Sequence, residues 1–87
     1  MQFALWQNSP NPFNPSTEIR YELPENVYVS LTVSDVLGRE VAKLADGIES
    51  AGDKSVTLDA AFLPSGVYFY RLQAGTFVDV KKMIIMR

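Results

Sequence analysis

The sequence has neither cysteine nor histidine among its 87 residues. Without cysteine, neither disulfide bonds nor thiolate metal sites can stabilise the fold. Without histidine, the chain lacks the commonest general base, the commonest zinc ligand and any Ser-His or Cys-His catalytic pair. Long apolar runs are missing as well, and none approaches the roughly 20 residues that a membrane-spanning helix requires. We therefore expect no enzyme, no metal site and no cofactor.

The chain also lacks an excess of charge of one sign. Eight basic and ten acidic residues are mixed along it, and the net charge is −2. This balance provides no basic surface for nucleic acid. The apolar share of 47% suits a packed domain, and the length allows a single domain near the lower size limit of a self-supporting core. The N-terminus has no signal-peptide pattern, so we expect a fragment of a larger protein whose export signal lies elsewhere.

The most β-prone stretch of the chain is Gly66–Ala74, where β-branched and aromatic residues follow a Pro-Ser-Gly turn. Both faces of this predicted strand are apolar, which favours a central position in a sheet. The stretch that leads into it resembles the corner of an immunoglobulin-like sandwich, in which the hydroxyl of Tyr68 would bond back to the preceding loop and Leu63 would seat the corner in the core. An ordinary core strand with an aromatic residue is the alternative.

Two alternating segments lie nearer the N-terminus, at residues 17–23 and 27–33. Each places apolar side chains on one face and polar side chains on the other, and a three-residue turn separates them. This arrangement predicts an antiparallel hairpin.

The remaining strands are less regular. Residues 40–44 predict a strand, with a helical turn as the alternative, and a loop with two glycines follows over residues 46–53. Residues 54–59 and 77–86 predict two more strands, and a bulge is one explanation of the break in alternation at Lys81-Lys82. Long crossovers are missing. The sequence therefore predicts an all-β, antiparallel, immunoglobulin-like β-sandwich of six to seven short strands.

A proline-rich stretch near the N-terminus, residues 7–16 (the strap), has three prolines within six positions. These exclude a helix and remove three backbone donors. An ordered strap is favoured over a flexible linker, because Phe13 is a large apolar residue suited to burial and Asn14 is suited to open a type I turn. Such a strap would cover a sheet edge. We expect residues 1–16 to form an entry segment and strap that pack on a sandwich formed by residues 17–87.

A second turn is marked by Asp35, Gly38 and Arg39. Gly38 can adopt the positive φ of a tight reversal, and the Asp35 carboxylate can accept from the turn amides. Arg39 can pair with Asp35 or with Glu40, although an exposed pair contributes only ~0–1 kcal/mol. The other aspartates fall mostly at predicted strand ends and loops, which is typical of turn formers rather than calcium ligands.

Four motifs of this chain, in order, resemble those of the type A C-terminal sorting domain of the type IX secretion system, found in Bacteroidetes and related bacteria. The opening motif (residues 10–19) has Pro12, Phe13, Asn14 and Pro15 as its most distinctive residues. The middle motif (residues 35–41) has Asp35, Gly38 and Arg39. The closing pair of motifs (residues 65–72 and 81–85) has Gly66, Tyr68, Lys81 and Lys82. The chain departs from the pattern at Leu58, where many members carry Trp, and at Ser9, where an aromatic residue is common.

The resemblance implies a signal that is read by other proteins, with these motif residues as candidates for recognition. A larger cargo protein would lie N-terminal to the domain and reach the periplasm by its own signal. The sorting domain would then direct passage through the outer-membrane translocon to the cell surface or the medium. A sortase-like peptidase would remove the domain and attach the cargo to surface lipopolysaccharide, or the domain would stay on the cargo. The position of Arg87 directly after the last predicted strand fits a natural C-terminus.

Two other non-catalytic functions remain open. Exposed aromatics such as Trp6 and Tyr28 could stack on sugars in a carbohydrate-binding module, although core packing of Trp6 and incidental exposure of Tyr28 are favoured. The second of these interpretations is a structural immunoglobulin-like spacer of an extracellular protein. The strap and the Lys-Lys-apolar end of the last strand favour the sorting domain over both.

Overall fold

The computed structural model describes residues 2–87, which form strands and connections without any helix. A helix that could cross a membrane is accordingly absent from this range. The seven strands are β1 (Ala4–Leu5), β2 (Ser16–Leu23), β3 (Val27–Ser34), β4 (Glu40–Glu49), β5 (Gly52–Asp59), β6 (Gly66–Ala74) and β7 (Phe77–Ile85).

The strands form two antiparallel sheets that pack face to face. The order is β1-β2-β5 in the smaller sheet and β4-β3-β6-β7 in the larger one. Strand β6 lies between β3 and β7, so its predicted central position is confirmed. A two-residue turn at Gly75-Thr76 joins β6 to β7. The predicted antiparallel, immunoglobulin-like sandwich is thus confirmed.

The core lies between the sheets and follows the alternation of each strand. In β2, Ile19, Tyr21 and Leu23 are buried while the residues between them face outward. Strands β3 and β6 bury every second side chain in the same way. Since this periodicity is a property of extended backbone, the inner faces of these strands were predictable from the sequence.

The predicted hairpin between residues 17–23 and 27–33 is wrong. Strand β2 pairs with β1 and β5, whereas β3 pairs with β4 and β6 in the opposite sheet. The connection after Leu23 therefore crosses from one sheet to the other. Two strands that each have one apolar face can bury it side by side in a sheet or face to face across a core, and alternation alone does not distinguish these arrangements.

Strand β4 is longer than predicted, because it continues through Gly47 to Glu49 and leaves only Ser50 and Ala51 between it and β5. The predicted loop over residues 46–53 is therefore wrong, while the strand over residues 40–44 is confirmed. The pairing of β4 with β3 has two register shifts, between Leu31 and Thr32 and between Val33 and Ser34. Extra residues of this kind break the two-residue period, which explains the ambiguous pattern of this segment.

The bulge considered at Lys81-Lys82 is absent, because β7 pairs with β6 in one uninterrupted register. Asp79 and Lys81 lie opposite the inward residues Leu72 and Tyr70, so they belong to the inner side of β7. The apolar alternation therefore breaks because charged residues occupy inner positions of a strand at the sheet edge, which is a common protection against edge-to-edge pairing.

Candidate functional site

The strap forms one antiparallel bridge with β2 at Ser9 and one parallel bridge with the outer edge of β7 at Phe13. The Phe13 amide donates to the Ile84 carbonyl over 3.1 Å, and the Met86 amide donates to the Phe13 carbonyl over 3.0 Å. The Phe13 side chain is only 2% exposed and belongs to the core. Its predicted burial and the predicted covering of a sheet edge are both confirmed.

Side-chain amides of the strap add two further hydrogen bonds to the edge of β7. The Asn11 Oδ1 atom accepts from the Ile84 amide over 2.9 Å, and the Gln7 Nε2 atom donates to the Lys82 carbonyl over 2.7 Å. Asn11 thus satisfies the backbone donor of Ile84, and Gln7 satisfies the backbone acceptor of Lys82. Asn11 stands between two prolines, but this position did not indicate the partner strand, and Gln7 had no signal of its own.

The type I turn predicted to begin at Asn14 does not form. Ser16 and Thr17 already belong to β2 and pair with Asp59 and Leu58. Local turn propensity is overridden here by the pairing of β2 with β5. Pro12 and Pro15 flank Phe13 and Asn14. Because proline has no backbone N–H group, the strap has no backbone donor at Pro12 or at Pro15.

Tyr70 fixes the beginning of the strap to the larger sheet. Its hydroxyl donates to the Trp6 carbonyl and accepts from the Asn8 amide, each over 2.8 Å. The buried Asn8 side chain in turn donates to the Thr17 hydroxyl of β2 over 3.0 Å. Burial raises the pKa of Tyr70 to about 12, with the Asn8 amide opposing the rise and the Asp79 carboxylate adding to it. The strap is therefore tied to both sheets, through residues that the sequence did not single out.

The turn between β3 and β4 is held as predicted. Asp35 Oδ1 accepts from the amides of Leu37 and Arg39 over 2.9 and 3.0 Å, and Asp35 Oδ2 lies 2.8 Å from Arg39 Nε. Gly38 has a φ of 83°, in the left-handed region. Desolvation acts to raise the pKa of Asp35, but the hydrogen bonds from Arg39 and Leu37 outweigh it and hold that pKa below its usual value.

Two motifs that are distant in sequence meet at this turn. The segment from Asp35 to Arg39 and the segment from Leu63 to Tyr68 line one surface cavity of about 320 Å³. Val36 and Leu37 project from the turn and are largely exposed. The middle motif and the first of the closing motifs therefore form one structural unit at the end of the sandwich.

The tyrosine corner beside this cavity is confirmed. The Tyr68 hydroxyl donates to the Pro64 carbonyl over 2.8 Å, and Leu63 is buried beneath the corner. Arg87 braces the same loop, since its Nε atom donates to the Leu63 carbonyl over 2.8 Å and its backbone amide donates to the Ser65 hydroxyl over 3.0 Å. No local pattern indicates this role of Arg87, because the loop and the residue are far apart in the chain.

We expect Tyr68→Phe to lower the free energy of unfolding by about 1 kcal/mol, because the variant loses one hydrogen bond and leaves the Pro64 carbonyl without it. Chemical denaturation of the two proteins measures the difference. An unchanged unfolding midpoint would show that the corner bond does not contribute to stability.

The paired lysines of β7 point in opposite directions. Lys81 lies on the inner side, with its Nζ atom 3.6 Å from Asp79 Oδ2, whereas Lys82 is exposed on the outer face opposite Phe69. We call the outer surface of these two strands the cationic face; its members are Val67, Phe69, Arg71 and Gln73 of β6 and Val78, Val80, Lys82 and Ile84 of β7. The outward positions of these two strands include two cations and no carboxylate, although the chain as a whole is acidic.

The predicted core packing of Trp6 is wrong. Trp6 is 40% exposed, and the Arg20 guanidinium carbon lies 5.4 Å from its ring centroid. Leu5 occupies the inward position of β1, so the next residue along the chain turns outward. Tyr28 is exposed, as expected, on the outer face of the other sheet. The two aromatics therefore do not form a common platform.

The comparison with known proteins supports the resemblance carried by the four motifs. The chain has no match among curated proteins. A family model described as Secretion system C-terminal sorting domain matches residues 9–86, which include most of the strap and all of the strands from β2 to β7. The chain therefore belongs to the secretion system C-terminal sorting domain family, whose members are the sorting signals of type IX secretion.

Proposed function

We propose that the type IX outer-membrane translocon engages this domain through the cationic face. The face is apolar at its centre, where Phe69 and Val80 are exposed, and it carries Arg71 and Lys82. Large apolar side chains exposed together on one rigid sheet are typical of interaction surfaces. The observation that carries the proposal is the segregation of two cations and these apolar side chains on one face of a chain with a net charge of −2.

Most other motif residues support this face rather than form it. Phe13 and Tyr68 are buried, and Asp35 is occupied by the amides of its own turn. Among the distinctive residues named for the four motifs, Lys82 and Arg39 present charged side chains that are largely exposed. The opening and middle motifs thus shape the domain, and the two closing motifs supply contact residues, Phe69 and Arg71 from the first and Lys82 from the second.

The domain acts on a cargo that lies N-terminal to it in the intact protein. The cargo crosses the periplasm, and the translocon passes it to the cell surface or the medium. A sortase-like peptidase of the same machinery then releases the domain and links the cargo to surface lipopolysaccharide. The domain itself serves as a sorting signal and has no catalytic role, in keeping with the generally non-catalytic family to which it belongs.

A reporter fusion tests the role of the cationic face. Residues 7–87 are fused behind a periplasmic reporter in a bacterium with a working type IX system, and the Lys82→Glu variant is compared with Lys54→Glu, which makes the same change of charge on β5 of the smaller sheet. Thermal unfolding first confirms that both variants are folded. We expect Lys82→Glu to leave most of the reporter in the periplasm, because it reverses the charge at the proposed contact, and Lys54→Glu to be exported normally. Equal export of the two variants would exclude the cationic face as the recognition surface.

A further inference from the structure

The sandwich has four strands at its sheet edges, and three of them are protected from pairing with another strand. Strand β1 has only two residues. The strap covers the C-terminal end of β7, and the earlier part of β7 carries the inward-facing Asp79 and Lys81. Strand β5 carries a lysine, Lys54, on its inner side. Short edges, covered edges and inward-facing charges are the usual means by which sheets avoid edge-to-edge pairing.

Strand β4 has such protection over its first half; in its second half the one inner-side charge, Glu49, accepts from the Tyr21 hydroxyl of the same chain over 2.7 Å. Both of its register shifts lie before Ala45, where they disturb the ladder. Residues 45–49 (the free edge) pair regularly with β3, and within residues 2–87 the sheet ends there. The free edge is thus regular and has no neighbouring strand on its outer side within residues 2–87.

The backbone of the free edge points its hydrogen-bonding groups outward at Ile48. The Tyr28 carbonyl accepts from the Gly75 amide over 3.3 Å, on the side of β3 that faces β6. In an antiparallel ladder the amide and carbonyl of one residue point to the same side, so those of Tyr28 point away from β4. Ile48 lies opposite Tyr28, and its own amide and carbonyl therefore point away from β3, toward solvent. Asp46, two residues before it, has the same orientation.

The side chains of the free edge are suited to a copy of the same segment. Ile48 is 80% exposed and lies beside Tyr28, which is 54% exposed, on the outer face. An antiparallel pair centred on Ile48 places this side chain against its own copy and places Asp46 opposite Ser50. A pair centred on Asp46 would set two carboxylates against each other, which is destabilising. A pair centred on Gly47 would oppose Ile48 with the Asp46 carboxylate of the other copy.

We propose that two copies of this chain associate through the free edge, antiparallel about a two-fold axis at Ile48. The larger sheets then join into one continuous sheet of eight strands, and the cationic faces of both copies lie on the same side of it. The contact is isologous, as a two-fold dimer requires. Because one short strand pair buries little surface, the dimer is weak and forms at high protein concentration.

Disulfide trapping tests the pairing directly, because the chain contains no cysteine of its own. In the proposed register the two Cα atoms at Ile48 lie about 5.5 Å apart, which suits a disulfide bond. We expect the Ile48→Cys variant to form a linked dimer on mild oxidation about tenfold faster than a Val78→Cys control, since only the former is held in position. Val78 is exposed on the opposite edge strand of the same sheet. Equal rates of linkage would overturn the proposal.

Sedimentation of the unmodified chain provides an independent measurement. The average mass should rise with concentration, and Ile48→Lys should abolish the rise because it sets two like charges against each other at the axis. Val78→Lys, the matched control, should leave it unchanged. A chain that stays monomeric up to millimolar concentration, or a dimer that is equally sensitive to both substitutions, would contradict the proposed pairing.

Discussion

Replacing Phe13 by alanine is expected to lower the free energy of unfolding by about 3–5 kcal/mol. The Phe13 ring is almost completely buried in the core, and the backbone of the same residue bonds to Ile84 and Met86. The substitution therefore removes apolar contacts and leaves a cavity where the strap meets the sandwich. Chemical denaturation followed by tryptophan fluorescence measures the loss, because Trp6 is the chain's single tryptophan and lies just before the strap.

The matched control is Phe62→Ala, which shortens a phenylalanine that is exposed on the loop after β5. It should change stability by no more than about 0.5 kcal/mol. If the two alanine variants unfold alike, the strap is a linker. The division into a packed entry segment and strap over residues 1–16 and a sandwich over residues 17–87 stays a prediction, and this comparison tests it.

Tyr70→Phe is expected to lower the free energy of unfolding by about 1–3 kcal/mol, although it removes a single oxygen atom. The buried hydroxyl serves two backbone groups of different chain segments, the Trp6 carbonyl and the Asn8 amide. Without it, both groups lose a partner in a place where water cannot readily replace it. Amide hydrogen exchange should quicken at Asn8 in particular, and an unchanged exchange rate there would contradict the assigned hydrogen bond.

The same hydroxyl makes the stability depend on alkaline pH. Burial raises the pKa of Tyr70 from 10.0 to about 12, so the fold favours the neutral phenol. This contribution is fully present below pH 10 and is lost as the pH rises through the raised pKa. Tyr70→Phe should therefore unfold with a weaker dependence on pH in this range. Burial and the Glu49 carboxylate also raise the pKa of Tyr21, which keeps part of the dependence in the variant.

The sequence predicted those features of the fold that depend on local rules. Alternation identified the inner faces of β2, β3 and β6, because side chains of extended backbone point alternately to the two faces of a sheet. Gly38 and Asp35 identified a turn whose geometry depends on those two residue types alone. The Tyr68 corner was also predictable, because its donor and acceptor are four residues apart in the chain.

Features that depend on distant partners were not predictable in this way. The pairing of β2 with β5 rather than β3 is a choice between two arrangements that bury the same apolar faces. The regularity of β7 was hidden because charged residues occupy two of its inner positions. Tertiary packing determines the strand pairing in such cases, and the local sequence pattern does not indicate which arrangement is adopted.

The candidate site was likewise predictable from the sequence only where its features depend on local residues. The motifs indicated the residues of the strap and of the β3–β4 turn, and the burial of Phe13 followed from its polar surroundings. The contacts of Asn11 and Arg87 join segments more than 20 residues apart, so no local pattern could reveal them. The opposite directions of Lys81 and Lys82 became clear only with the register of β7.

The central claim is that this small sandwich is a sufficient sorting signal for type IX export. Localisation of a reporter tests this claim most directly. A periplasmic reporter is joined to residues 7–87 and expressed in a competent bacterium and in a strain that lacks the translocon. We predict that the reporter appears at the surface or in the medium of the first strain and stays in the periplasm of the second. A reporter that stays in the periplasm of both strains, or leaves the cell equally well without the domain, would contradict the account.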